Sequence, residues 1–209
     1  MKLTEASINF IHACCKDTLK RVVLVGHSFG GGVALLAYMH AQHNKTTAGF
    51  AGLVLISSGG YPQNLPFFID MLRTPVGRFF AYLRPPHARS RFVLERIFTV
   101  SSRVTAERVH RYAYFSDLPG SRAALERTAL HIPPPNLEAL NAQIPTISAP
   151  ALILWGAQDS VVPLEHAHRF HREIKGSHLK VLAQTGHVPQ EERPELFIEA
   201  LSEFVTGLR

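Results

Sequence analysis

The sequence predicts an α/β protein: a mainly parallel sheet with helices on both faces and a helical insertion in mid-chain. Three observations predict it. Short, apolar-rich runs occur at 22–25, 51–56, 150–156 and 178–183, the pattern of strands buried in a sheet covered on both sides. Helix-favouring segments alternate with these runs, as crossover connections of a parallel sheet require. From Tyr61 to Gln143 there is no strand-like run, and Pro66, Pro75, Pro85, Pro86, Pro119 and Pro133 to Pro135 cut that segment into short helical pieces.

Residues 3–18 place Ile8, Ile11, Cys14 and Cys15 at helical spacing, so an amphipathic helix is expected there. The first strand covers 21–26, with Val22, Val23 and Val25 supplying β-branched side chains. A helix over 28–42 follows, then a loop over 43–50 and a second strand over 51–56, ended by Ser57-Ser58-Gly59-Gly60. The insertion is rich in aromatics, among them Phe67, Phe68, Phe79, Phe80, Phe92, Phe98, Tyr112, Tyr114 and Phe115. They either line an apolar substrate pocket or form the insertion's own core; for any single one the second is expected. The sheet resumes at 150–156. A helix over 163–174 opens on Pro163, a residue pre-set for a first helical turn. A fourth strand over 178–183 and a closing helix over 193–208 complete the chain. The expected division is a core of 1–60 and 144–209 around a helical lid of 61–143.

Composition narrows the function. The chain has 209 residues, enough for one domain with an inserted subdomain. Lys2 is followed by Leu3-Thr4-Glu5-Ala6-Ser7, which has no apolar core of a secretion signal. The two cysteines are adjacent and read as reduced thiols, so a cytoplasmic location is expected. His27, Ser28 and glycines interrupt residues 22–39, so no membrane insertion is expected. Residues 73–127 hold eleven arginines against Glu95, Glu107, Asp117 and Glu126, a balance of +7 in a chain of +6, so the remainder carries −1. That charge is either a solvated helical surface or an attraction for an anionic substrate or surface. No nucleic-acid motif accompanies it, and nucleic acid is not an expected partner. His168 and His171 lie three apart on one helix but lack a third ligand. No metal or cofactor is expected, and a G-x-G-x-x-G dinucleotide loop is absent.

The stretch that carries chemistry is Gly26-His27-Ser28-Phe29-Gly30, a G-x-S-x-G between strand and helix. A serine at such a turn has an exposed hydroxyl and a strained backbone. Gly26 and Gly30 are expected to lack side chains because strand and helix nearly collide. The N–H of Phe29, at the helix N-terminus, points where an oxyanion forms. Ligands gather at the carboxyl ends of parallel strands. Ser28, Asp159 and His187 lie just past three such ends, in that order. A post-strand aspartate alone is usually a turn residue and a lone histidine usually structural; their joint placement carries the argument.

Together these stretches resemble the α/β-hydrolase family. Gly26 to Gly31 looks like its nucleophile elbow, Trp155 to Pro163 like its acid loop, and Gly186 to Glu195 like its histidine loop and last helix. The resemblance implies acyl transfer to water. Ser28 is then the nucleophile, His187 the base and acid, Asp159 the group that fixes the histidine tautomer, and Phe29 N–H an oxyanion donor. A serine at the elbow argues against the dehalogenase and epoxide-hydrolase branches, which resemble this pattern with aspartate there. The family normally has further strands before the helix preceding the elbow, and a second oxyanion donor lies among them. This chain resembles the later part of such an enzyme. Val22–Val25 is then expected to leave an apolar edge open to self-association, and the chain alone to be poorly soluble or weakly active. The expected activity is hydrolysis of an ester, or of a related acyl bond such as a C–C bond beside a ketone, in a small to medium apolar molecule. The competing expectation is an impaired fragment that acts by association.

Overall fold

The computed structural model describes Asn9 and residues 22–44 and 50–208. The helix expected over 3–18, with its two cysteines, lies outside the described residues apart from Asn9, as does most of the loop over 43–50. Four strands form one sheet: β1 (Val22–His27), β2 (Phe50–Ile56), β3 (Ala151–Gly156) and β4 (His178–Leu182). Their order is β1-β2-β3-β4 and every neighbouring pair is parallel. Each strand matches the sequence reading to within a residue at either end.

The helices among the described residues are α1 (Phe29–His43), α2 (Phe67–Met71), α3 (Pro75–Tyr82), α4 (Pro86–Ile97) and α5 (Ala106–Asp117). They continue with α6 (Ser121–Leu130), α7 (Leu137–Asn141), α8 (Leu164–Glu173), α9 (Pro189–Glu192) and α10 (Pro194–Gly207). The four-residue α9 falls in a stretch read as loop. No described helix is long and apolar enough to cross a membrane.

Alternate strand residues point to opposite faces. Leu53, Leu55, Ile153 and Trp155 meet Leu35 and Tyr38 of α1 and Ala167 and Phe170 of α8. Val54, Ile56, Leu152 and Leu154 meet Ala200 and Phe204 of α10. Both faces of β2 and β3 are thereby covered, which is why those strands read as unbroken apolar runs. Each such large side chain, once buried, contributes about 1.5–3 kcal/mol. At the β1 side, Val25 is 51% exposed, and β1 pairs only with β2 among the described residues.

Helices α2 to α7 all lie between β2 and β3. This segment has a core of its own, built from Leu94, Ile97, Phe98, Val104 and Val109, with Val188 contributed from beyond β4. Phe68 and Tyr112 pack against it. Phe67, Phe79, Phe80, Tyr114 and Phe115 do not; each is more than half exposed, so the expectation of a shared aromatic core fails for these five. The buried positions are filled mainly by aliphatic side chains, Leu94 and Ile97 of α4, Val104 just before α5 and Val109 within it, together with Phe98. The prolines cut where expected. Pro75 and Pro86 open α3 and α4, and Thr74 caps α3 by accepting from Gly77 N–H at 3.0 Å.

Candidate active site

The parallel register brings the carboxyl ends of the strands to one rim: His27 lies opposite Ile56, Ile56 opposite Leu154, and Gly156 opposite Leu182. The loops leaving β1, β3 and β4 therefore meet there, and they carry Ser28, Asp159 and His187.

Ser28 stands between β1 and α1 with φ 54 and ψ −120, a conformation that costs a non-glycine residue energy. Surrounding bonds hold it. Its N–H donates to Ile56 O at 2.9 Å, and its carbonyl accepts from Gly31 N–H at 3.0 Å and Gly59 N–H at 2.9 Å. A Cβ on Gly26 would collide with Gly30 O and lie 2.6 Å from Gly31 Cα, so strand and helix do touch at that position. Gly30 differs from expectation: a Cβ there meets no described atom within 4 Å. The second position without room for a side chain is Gly31, where a Cβ would strike Ser58. At Gly31 it is the β2–α2 loop that presses on the helix, as β1 does at Gly26. Phe29 is the first residue of α1, so its N–H has no acceptor within the helix.

His187 lies in the loop after β4, 5% exposed. Its Nε2 is 2.9 Å from Ser28 Oγ. Its Nδ1 is 2.9 Å from Asp159 Oδ2 and 3.0 Å from Oδ1. Asp159 is wholly buried at its side chain. Its Oδ1 also accepts from Val161 N–H and Val162 N–H, both at 2.9 Å. Burial alone would raise this carboxyl. The His187 hydrogen bond and charge and the two backbone N–H groups outweigh burial and hold it below the usual carboxylate range. The aspartate is thus anionic and accepts from Nδ1–H, which leaves Nε2 of a neutral His187 free to accept the Ser28 proton. The three sequence-predicted side chains form one continuous hydrogen-bonded row.

Several contacts at the site lie outside the sequence reading. His27 is partly buried beside His187, with ring centroids 4.9 Å apart and its Nε2 2.7 Å from His187 O. Its pKa falls to about 4, chiefly through burial and then through the charge of His187. Glu192, fully buried, accepts from Gly186 N–H at 2.7 Å and from Thr99 N–H at 2.8 Å. His187 N–H donates to Ile97 O at 2.9 Å. Glu191 pairs with Arg108 at 2.9 Å and accepts from the Tyr112 hydroxyl, both on α5. The histidine loop is therefore fastened to the helical segment between β2 and β3. The only sequence signal was the pair of acidic residues a turn after His187, which names no partner.

The model of a family described as "Alpha/beta hydrolase family" matches residues 4–200. An uncharacterised protein of Mycobacterium tuberculosis is 30% identical over 208 residues, covering 90% of this chain and 56% of that protein. The uncharacterised hydrolase YugF of Bacillus subtilis is 30% identical over 195 residues, covering 90% of this chain and 66% of its own. The chain thus spans between half and two thirds of the length of these relatives. Among solved structures, the meta-cleavage product hydrolase of Pseudomonas fluorescens superposes with a TM-score of 0.77 at 21% identity, covering 99% of this chain and 72% of that one.

Proposed function

The chain belongs to the alpha/beta hydrolase family, and from that premise we propose that it is a serine hydrolase working through an acyl-enzyme. Its substrate is an ester, or a related acyl bond such as a C–C bond beside a ketone, in a small to medium apolar molecule. The row Ser28–His187–Asp159, closed by 2.9 Å links at a serine of φ 54, carries this reading.

In the proposed reaction His187 Nε2 takes the Ser28 proton as Oγ bonds to the carbonyl carbon. The C=O pair moves onto oxygen and is met by Phe29 N–H and the positive end of α1. Collapse breaks the bond to the leaving group, which receives the proton from His187. Water then repeats the sequence on the acyl-enzyme, freeing the acid and restoring Ser28. Asp159 keeps the proton on Nδ1 and stabilises the imidazolium. Residues 61–143 act as a lid in this reading. Its support is their bonding to the histidine loop through Ile97, Thr99 and Arg108.

Hydrolysis of p-nitrophenyl butyrate tests the proposal. The parent is expected to turn over saturably, and Ser28→Ala to lose roughly 10³-fold or more in kcat. Equal rates in parent and variant would contradict it. The competing reading is an association module acting through the edge of β1, where Val25 is 51% exposed. It predicts no turnover together with concentration-dependent oligomers in sedimentation velocity.

A further inference from the structure

We infer that His27 is a positioning residue for the proposed reaction: its Nε2–H holds the carbonyl of His187 and so aims the ring that serves Ser28. The inference rests on the hydrolase reading above and goes beyond it, since the position after Gly26 in G-x-S-x-G carries no required side chain.

The geometry is specific. Both backbone polar groups of His187 are tied. Its N–H donates to Ile97 O at 2.9 Å, and its carbonyl accepts from His27 Nε2 at 2.7 Å. The neighbouring restraints on this loop, Gly186 N–H to Glu192 at 2.7 Å and the buried Val188, tie it to α9 and to the helical segment, whereas the His27 contact ties it to β1, the strand that carries Ser28. His27 is the last residue of β1, and Ser28 follows it directly. One rigid strand end therefore presents both the serine and the clamp on its histidine partner. Any shift of the elbow moves the two together, which preserves the 2.9 Å contact between Ser28 Oγ and His187 Nε2.

The chemistry of the clamp also fits. A carbonyl accepts only from a protonated nitrogen, so Nε2 of His27 carries the proton and Nδ1 does not. The ring must stay neutral, because a second cation 4.9 Å from His187 would oppose the imidazolium formed during catalysis. The charged and titratable groups that act on His27 are His187, Asp159 and Glu191. Burial and His187 dominate and keep His27 neutral above about pH 4.

The test compares phosphonylation of Ser28 by a fluorophosphonate, followed by intact mass, in the parent, His27→Phe, His27→Gln and His27→Asn. Melting temperature and the kcat and KM for p-nitrophenyl butyrate are measured on the same samples. Phenylalanine keeps a ring without a donor, glutamine places an N–H near Nε2, and asparagine is too short to reach. The expected result is a roughly 10- to 100-fold slower reaction in His27→Phe and His27→Asn, carried by kcat with KM little changed. His27→Gln recovers to within a few-fold of the parent. Should His27→Phe not fold, the Gln and Asn pair decides. A parent that reacts while all folded variants react equally fast would overturn the inference and leave the hydrolase reading standing. A folded parent that does not react overturns both.

Discussion

Asp159 accepts three hydrogen bonds on a fully buried carboxylate, so replacing it tests the row at its far end. Asp159→Asn keeps the shape but presents an N–H₂ to Nδ1 and favours the wrong histidine tautomer; kcat for p-nitrophenyl butyrate should fall roughly 10³- to 10⁴-fold. Acid stability is set by groups of the same kind. His27 has its folded pKa lowered from 6.5 to about 4, so the unfolded chain binds the extra proton between those values. Its contribution is fully present above pH 6.5 and is lost as pH falls towards 4, on the order of 3 kcal/mol in all. Asp159 adds a second loss below its ordinary 3.8. Melting temperature should therefore drop between pH 7 and 4.5, and the drop should be shallower in His27→Gln; equal slopes would contradict it. Ser28, Asp159 and His187 were legible because each stands just past a strand end inside a recognisable loop. His27 was legible as an elbow position but its contact with His187 was not, because the two lie 160 positions apart. Gly31 was missed because the residue it faces, Ser58, belongs to a loop whose path no periodicity reveals.

At the scale of elements, the sheet was readable and the insertion was not. Parallel strands buried on both faces leave continuous apolar runs, and β1 to β4 followed those runs closely. Helices α2 to α7 were legible as helical pieces through their prolines, but not in their packing. Tertiary contacts, not spacing, decide that Leu94 is buried while Phe79 is 61% exposed. Glu192 shows what joins insertion and core. Its carboxylate satisfies Gly186 N–H and Thr99 N–H in a site without exposure, so Glu192→Ala should orphan both donors. The expected cost is roughly 2–4 kcal/mol, or about 5–15 °C in melting temperature. Scanning fluorimetry checks it, and a loss of under a degree would contradict the fastening role.

Across the whole molecule, the positive charge of residues 73–127 is only partly spent in ion pairs. Arg78 reaches Glu126 and Arg108 reaches Glu191, while Arg84 and Arg96 stack on Phe92, and Arg89 and Arg122 on Tyr82. Exposed pairs contribute little to stability, so the charge bears on what approaches the molecule. If it draws anionic substrate, kcat/KM for a carboxylate-bearing ester should fall with added salt, while that of a neutral ester of equal size stays flat. Parallel salt curves would leave the arginines as solvated surface. The excess charge was plain in the sequence; which arginines stack and which pair depended on helix packing. The proposed hydrolase activity rests on Ser28 being a nucleophile activated by His187. The most direct measurement is intact mass and peptide mapping after fluorophosphonate treatment of the parent and Ser28→Ala. A single adduct on the Ser28 peptide of the parent, with none on the variant, is the result predicted; a folded parent that stays unmodified, or a variant labelled as fast as the parent, would contradict it.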